Sequence, residues 1–385
     1  MLNPALAMGF LDPRTVIVLA ALMSGLMSIV LYALKRNYPR SINGLSEWAA
    51  GLLVLFVGSL LFAARGHVPD LVSIPFSNFL VWLGLYLTYL GSQRFFGILP
   101  RARPWLALFA AGLLVMVWFT LVEPSYHARL LLGTGLRGLL FGVHAILIWR
   151  QGSITFARGL AMGVLAGITA IQIMRAVTSF YYPLGTDVFN TEPRQLIYIT
   201  SYALFILLFS ISLVLMATDR LRIDLEHLAT HDSLTNALTR RHMNEFCKQE
   251  LERCRRHGRS VAVLLMDLDH FKVVNDTYGH HTGDRALVNF VTKVNAALRR
   301  PDQLGRFGGE EFVAILPETT LEEAVSVAER IREFCAESDP EPYCTVSIGV
   351  TTNQKDSDTL ETLMKRADAA MYRAKANGRN RIEAA

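Results

Sequence analysis

Seven stretches of about 20 mostly apolar residues, near 15–34, 47–64, 71–90, 104–122, 130–149, 159–178 and 195–217, fill the first part of this 385-residue chain. About 20 helical residues cross a bilayer core, so these runs predict a multi-pass all-α membrane bundle over 1–217. Residues 1–217 hold 14 Lys and Arg with 6 Asp and Glu; the remainder holds 24 and 27. Too few charges remain in the first part to cover a soluble globule. The net charge of +5 arises there, so it does not mark a basic domain for a nucleic-acid polymer. A membrane module followed by a soluble one is predicted.

Charges between the runs alternate. Lys35, Arg36 and Arg40 follow the first run, Arg94, Arg101 and Arg103 the third, Arg150 and Arg158 the fifth, and Arg220 and Arg222 the last. The other loops hold single arginines, at Arg65, Arg129 and Arg194. By the positive-inside rule this predicts the N-terminus outside and the charged half in the cytoplasm, with the chain in the cell (inner) membrane. No basic segment precedes the first apolar run, so no cleaved signal peptide is expected. All four cysteines, Cys247, Cys254, Cys335 and Cys344, lie in the soluble part and none forms a Cys-x-x-Cys pair. Reduced, packed thiols are expected.

Three basic residues fall within spans: Arg137 and His144 in the fifth and Arg175 in the sixth. Charge at membrane depth is costly and tends to face a bundle interior. Arg137 and His144 mark a possible sensor pocket for an anion or a quinone-like molecule. Interhelical hydrogen bonding, or snorkelling by Arg175, is the alternative. With no repeats or acid–base relay to suggest a transporter, a sensor is the expected role.

Ile211, Val214, Thr218, Leu221, Leu225 and Leu228 keep a spacing of three and four. That is either a short coiled-coil stalk over 218–231 or an amphipathic helix packed on its own domain. Residues 232–385 form the third segment. From Ser260 the pattern predicts a strand at 261–267, a helix at 282–299, strands at 303–307 and 311–316 around Gly308-Gly309, a helix at 320–337, a strand at 343–352 and a helix at 359–377. This β-α-β-β-α-β order is the α+β ferredoxin-like palm, an antiparallel sheet with helices on one face. Asp267 and Asp269 end the first strand and Glu310 and Glu311 sit at the hairpin turn, a clustering of hard oxygen ligands that suits Mg²⁺.

Gly308-Gly309-Glu310-Glu311-Phe312 resembles the signature of the GGDEF-domain diguanylate cyclases. The similarity extends over about Thr230 to Glu383. It includes Asp232-Ser-Leu-Thr235, Asp267-Leu-Asp-His-Phe-Lys272, Asn275-Asp276, Gly279-His280, Gly283-Asp284 and Lys375-Ala-Asn-Gly-Arg379-Asn. Asn236 and Thr239 replace the family's usual Gly and Asn, which concerns local loop geometry. The resemblance implies condensation of two GTP into cyclic di-GMP and two pyrophosphates, with two Mg²⁺ per active half-site and Mn²⁺ as a substitute. It implies metal binding by Asp267, the carbonyl of Leu268, Glu310 and Glu311, a five-residue turn bringing Glu310 beside the strand end. Glu310 and Glu311 carry catalysis, Glu311 binding the second metal or accepting the proton of the ribose 3′-hydroxyl. GTP would be held by Asn275 and Asp284 at guanine, by Lys272, Lys375 and Arg379 at the triphosphate, and by His280, backbone near Phe271, and Gly308 and Gly309. Arg299 and Asp302 match the family's Arg-x-x-Asp product-inhibition site, with Arg330 as its secondary contact. A homodimer is implied, since one domain holds one GTP. The competing reading is a non-catalytic cyclic di-GMP receptor; the presence of Asp267, Glu310 and Glu311 speaks against it. No phosphodiesterase segment is expected after the cyclase domain.

Overall fold

The computed structural model describes residues 12–100, 102–152, 155–182, 188–189, 192–336, 344–354 and 358–385. The chain divides into two compact units, Met1–Ile223 and Asp224–Ala385.

In the first unit, seven helices are long and apolar enough to cross a membrane. They are α1 (Pro13–Asn37), α2 (Leu45–Ala63), a π-helical turn Val72–Phe76 continuing into α3 (Ser77–Phe95), α4 (Arg103–Leu121), α5 (Tyr126–Trp149), α6 (Phe156–Tyr181) and the start of α7 (Pro193–Thr230). Each apolar run predicts one of them. Leu19, Leu26, Ile29, Leu114 and Phe180 are exposed on the outside, as lipid-facing residues would be. Helices α2 and α3 meet through small residues: a Cβ on Gly51 would lie 2.8 Å from the Gly84 carbonyl, and one on Gly84 2.8 Å from the Gly51 carbonyl. Such close backbone approach is a common source of helix association in lipid. Pro75 breaks the α-helical ladder, and its neighbours repair it. Ser77 Oγ donates to the Ser73 carbonyl at 2.7 Å, and Asn78 Nδ2 to the Ile74 carbonyl at 2.9 Å.

Helix α7 continues without a break past residue 217, because no Gly or Pro interrupts it. Of the residues that keep this spacing, Val214 and Leu221 pack partly against the core of the first unit, while Ile211, Leu225 and Leu228 are exposed. The apolar spacing therefore serves two surfaces.

The second unit is built on a six-stranded sheet in the order β1-β3-β4-β2-β5-β6, with β1 at Leu238–Thr239, β2 at Val261–Leu268, β3 at Gln303–Arg306, β4 at Glu311–Pro317, β5 at Val346–Thr352 and β6 at Ile382–Ala384. Its four central strands are antiparallel and have the predicted ferredoxin-like order, but short β1 and β6 add in parallel at the edges. The sheet is thus mixed. Helices also cover both faces. Ala262, Leu264, Met266 and Leu268 pack with α10 (His280–Ala297) and α11 (Leu321–Ala336). Val261, Val263 and Leu265 face the other way, toward α8 (Arg240–His257) and α12 (Leu360–Ala376). The reason lies in β2 itself, apolar on both faces until Asp267 and buried along its whole length. Gly349 of β5 permits this second layer, since a Cβ there would come within 2.0 Å of the Ala367 carbonyl of α12.

Cys247, Cys254 and Cys335 are buried free thiols and Cys344 is half-buried. Burial pushes Cys247 and Cys335 up to about 12, so both are inert packing groups.

Candidate active site

Strand pairing sets the first constraint. Asp267 of β2 lies directly opposite Glu311 of β4, so both carboxylates project from the same face of the sheet. Like charges in that position destabilise a sheet unless something neutralises them. Lys375 does so, its Nζ 2.8 Å from Asp267 Oδ2. It arrives there because the inward stripe of α12, Leu363, Ala367 and Met371, continues four residues on to Lys375. Glu310 occupies the turn beside them, and the Leu268 N–H donates to its carbonyl at 3.4 Å. Burial raises the Glu310 carboxyl above its ordinary range, Asp267 and Glu311 add to the rise, and Lys375 opposes it.

Among the described residues no three His, Cys, Asp or Glu side chains form a preformed metal cage. The set nevertheless fits Mg²⁺. It is all oxygen and excess in negative charge, and Mg²⁺ characteristically takes one or two carboxylates and completes its shell with water and phosphate oxygens.

Asp269 departs from the predicted acidic cluster. It is buried, and it accepts from Ser347 Oγ at 2.7 Å, Thr345 Oγ1 at 2.8 Å and the Asn380 N–H at 3.0 Å. With both oxygens occupied it anchors the loop after α12, where Arg379 and Asn380 adopt left-handed backbone with φ of 61° and 45°. That loop carries the predicted phosphate contact Arg379.

The turn between β3 and β4 has four residues, 307–310, rather than five. Its glycines serve space rather than backbone freedom, since neither has positive φ. A Cβ on Gly308 would sit 3.0 Å from Glu311 Oε2, and beside Gly309 there is open room. One arginine, absent from the sequence expectations, holds the turn. Arg306 donates from Nε to the Gly308 carbonyl at 3.2 Å and from a terminal nitrogen to the Gly309 carbonyl at 2.7 Å. Its other terminal nitrogen meets Asp232 Oδ1 at 2.9 Å. Burial alone would raise the Asp232 carboxyl, but hydrogen bonds from Thr235 and Arg306 prevail and hold it below its usual range. In the same loop Asn236 takes φ of 60°, the conformation Gly adopts readily and Asn tolerates best among the others. The substitution therefore keeps the loop geometry.

Short helix α9 (Phe271–Tyr278) and α10 meet at Gly279. A Cβ on Gly283 would lie 1.9 Å from Asn275 Oδ1, so the Asn275 amide rests against the first turn of α10 beside exposed Asp284. The predicted guanine pair is brought together. Lys272, His280 and Arg379 are exposed; Phe271 is buried, leaving only its backbone for a ligand.

Arg299 and Asp302 stand at the start of β3, the turn at its end, about 13 Å apart for a four-residue strand. The Arg299 N–H donates to Asp302 Oδ2 at 2.8 Å, which leaves the exposed Arg299 guanidinium outward. Arg330 joins this place from within the same chain, donating to the Ala297 carbonyl.

In the first unit, Arg137 lines a cavity and donates to Asn78 Oδ1 at 3.2 Å. His144 does not line it. It is buried 2.7 Å from Ser92 Oγ and edge-on to Tyr89 and Phe209, so it is a packing group. Arg175, the arginine within the sixth span, lines the same cavity.

A family model described as "Diguanylate cyclase, GGDEF domain" matches residues 229–381. Those residues are a GGDEF domain. The "Probable diguanylate cyclase DgcC" of Escherichia coli K12 is 37% identical over 165 residues, 42% of this chain and 44% of that protein. The "Bifunctional diguanylate cyclase/cyclic di-GMP phosphodiesterase MucR" of Pseudomonas aeruginosa is 32% identical over 288 residues, 71% of this chain and 40% of that protein. That similarity reaches well beyond the GGDEF domain. The crystal structure of the GGDEF domain of DgcB from Caulobacter crescentus, in complex with c-di-GMP, is 32% identical, covering 40% of this chain and 95% of that one, with a TM-score of 0.39. The chain spans under half the length of these two curated relatives.

Proposed function

We propose that this chain is a membrane-bound diguanylate cyclase that condenses two GTP into cyclic di-GMP and two pyrophosphates. The supporting observation is the facing pair Asp267 and Glu311 with Glu310 on the adjoining turn, an acid cluster that Lys375 answers. In this reading 1–217 is the membrane sensor, 218–231 the stalk and 232–385 the cyclase. The N-terminus lies outside and the GGDEF domain in the cytoplasm, following the arginine-rich loops.

Each GGDEF domain holds one GTP, and two domains face antiparallel so that each 3′-hydroxyl meets the other's α-phosphate. Two bound Mg²⁺, or Mn²⁺, would polarise that phosphate and ease ionisation of the hydroxyl. Asp267, the Leu268 carbonyl and Glu310 hold the metal side of the site. Glu311 binds there too or accepts the hydroxyl proton. Lys272, Lys375 and Arg379 neutralise the triphosphate, and the bare backbone of Gly308 and Gly309 lets it approach. Asn275 and Asp284 match the acceptor and donors of the guanine edge. Detergent-purified protein incubated with GTP and Mg²⁺ should yield cyclic di-GMP by chromatography. No product under these conditions would refute the reading.

Asp284→Ser should lower the preference for GTP over ATP by about tenfold or more, because one hydroxyl cannot accept from both N1–H and N2–H. Mg²⁺ dependence should be unchanged. Unaltered discrimination would remove Asp284 as the base reader.

Product inhibition at Arg299, Asp302 and Arg330 belongs to the same proposal. A ligand there sits at the far end of β3 from the turn and does not displace GTP directly. Arg299→Ala should lose about 1.5–3 kcal/mol of product affinity, roughly tenfold or more, at an unchanged initial rate. Progress curves with added cyclic di-GMP measure this. Inhibition as strong as in wild type would reduce the pair to a surface contact.

A further inference from the structure

One feature of the membrane unit takes no part in cyclase chemistry. A cavity of about 120 Å³ opens between α1, α2, α3, α5, α6 and α7. All six contribute residues from the same end of the bundle: Ile17 and Ala20 near the start of α1, Phe62 near the end of α2, Asn78 and Val81 early in α3, and Ile199 and Tyr202 early in α7. This is the end that carries the start of α1. Arg175 lies about 9 Å in from the end of α6, and Arg137 about 16 Å along α5, by helical rise.

The lining is unbalanced in charge. It includes four arginines, Arg65, Arg129, Arg137 and Arg175, and among the described residues no acid. Arg137 donates to the neutral amide of Asn78, while Arg175 donates to the neutral amide of Gln195 at 3.2 Å, lies over the Tyr198 ring and has the neutral Tyr126 hydroxyl as a further partner. Arg175 Nε and the amide nitrogen of buried Gln172 have no hydrogen-bond partner among the described residues. All these groups are donors. Buried donors left open in a membrane protein are costly, and an anion would satisfy several at once. Ile17, Ala20, Ile74, Val81, Leu130 and Ile199 make much of the remaining wall apolar, with Ser59, Tyr126 and Tyr202 among its neutral polar residues. Cavities of about 150 Å³ admit one benzene ring, and this one is slightly smaller at about 120 Å³, so a single ring with one end left in the open mouth is the upper limit. The π-helical turn at Pro75 sets Asn78 in register with Arg137, and Gly133 leaves them room, a Cβ there lying 3.4 Å from each.

We propose that this cavity binds a carboxylate carried on a compact apolar body, its anionic end held by Arg137, Arg175 and Gln172. Such a ligand reaches the cavity as a solute from the side where α1 begins. The full chain in phosphatidylcholine nanodiscs should broaden the fluorine resonance of 4-fluorobenzoate saturably, and benzoate should displace it. Neutral 4-fluorobenzamide should not bind.

Arg137→Gln and Arg175→Gln should each weaken 4-fluorobenzoate at least tenfold, and Arg175→Lys should keep binding within a few-fold. Ala20→Phe, which fills the apolar part and leaves the charges in place, should abolish it. Size-exclusion profiles check that the glutamine variants fold; if either does not, the benzamide comparison and Ala20→Phe decide alone. Phosphatidylglycerol in the discs should not compete; competition by it would put a phosphodiester in place of the carboxylate and overturn the proposal. Benzoate bound no better than benzamide, or undiminished in the glutamine variants, would overturn the proposal. So would displacement by inorganic phosphate as effective as by benzoate, which would remove the apolar body from the ligand class. Binding is read directly, so the result does not depend on cyclase activity.

Discussion

Glu310→Gln should cut the initial rate of cyclic di-GMP formation by about 10²–10³-fold and leave the protein as stable as wild type or slightly more so. A metal ligand at a developing charge supplies several kcal/mol to the transition state, and about 1.4 kcal/mol is tenfold in rate. The stability half of the expectation follows from the raised Glu310 carboxyl, pushed up by burial and by Asp267 and Glu311. A raised carboxyl holds its proton more tightly in the folded chain than in the unfolded one. Its ionised form therefore opposes folding above the ordinary glutamate range, about pH 4.3, and the penalty grows as pH rises through the folded pKa. Gln removes that penalty at pH 8 and changes nothing at pH 4. Mg²⁺ added with a GTP analogue should raise the wild-type Tm and fail to raise that of Glu310→Gln. Near-normal turnover would detach the acid cluster from the reaction, and a collapsed Tm would mean that Glu310 supports the fold instead.

The bundle was legible because bilayer thickness fixes the length of every apolar run; the ends were less so, because caps decide them. Helix α1 begins at Pro13 since Asp12 caps it by accepting the Arg14 N–H, a local signal at the edge of an apolar run. Helix α8 escaped notice although Met243, Cys247, Leu251 and Cys254 carry its inward stripe at spacings of four, four and three. Between those four residues the helix is densely charged, so its mean hydropathy is low and the narrow stripe stands out weakly. Strands β1 and β6 have two and three residues and exist only through pairing with β3 and β5, so no local pattern announces them. In the site, contiguous motifs are legible because neighbouring residues share one strand end or one turn. The surroundings of Asp269 and His144 are not, because an acid at a strand end, or a histidine at membrane depth, takes its partners from residues distant in sequence. For Asp269 these are Thr345, Ser347 and Asn380; for His144, Ser92.

Arg306 was invisible for the same reason, and it carries the second large effect expected. Its partner Asp232 is 74 residues away, and its other acceptors are carbonyls with no sequence signature. Arg306→Ala would leave Asp232 and two turn carbonyls without their donor. Breaking a well-buried ion pair costs about 3–5 kcal/mol. Here the side chains retain 16% and 26% exposure, so about 2–3 kcal/mol of domain stability and a tenfold to hundredfold loss of rate are expected. Arg306→Lys should recover little, because one ammonium cannot reproduce a planar fork aimed at three acceptors. The Asp232 loop also ties the turn to the end of α7: Thr239 Oγ1 donates to the Ala229 carbonyl, His231 pairs with Leu238, and the Asp232 N–H donates to the Ala237 carbonyl at 2.7 Å. A chain of hydrogen bonds thus joins that helix end to Asp232, Arg306 and the carbonyls of Gly308 and Gly309. A double-mutant cycle of Asp232→Ala with Arg306→Ala, read by urea midpoint and by initial rate, should show coupling of about 1–3 kcal/mol in both measurements. Coupling in stability alone would make the pair a clamp of the fold. Coupling in rate as well makes the pair a positioning element for the turn that carries Glu310.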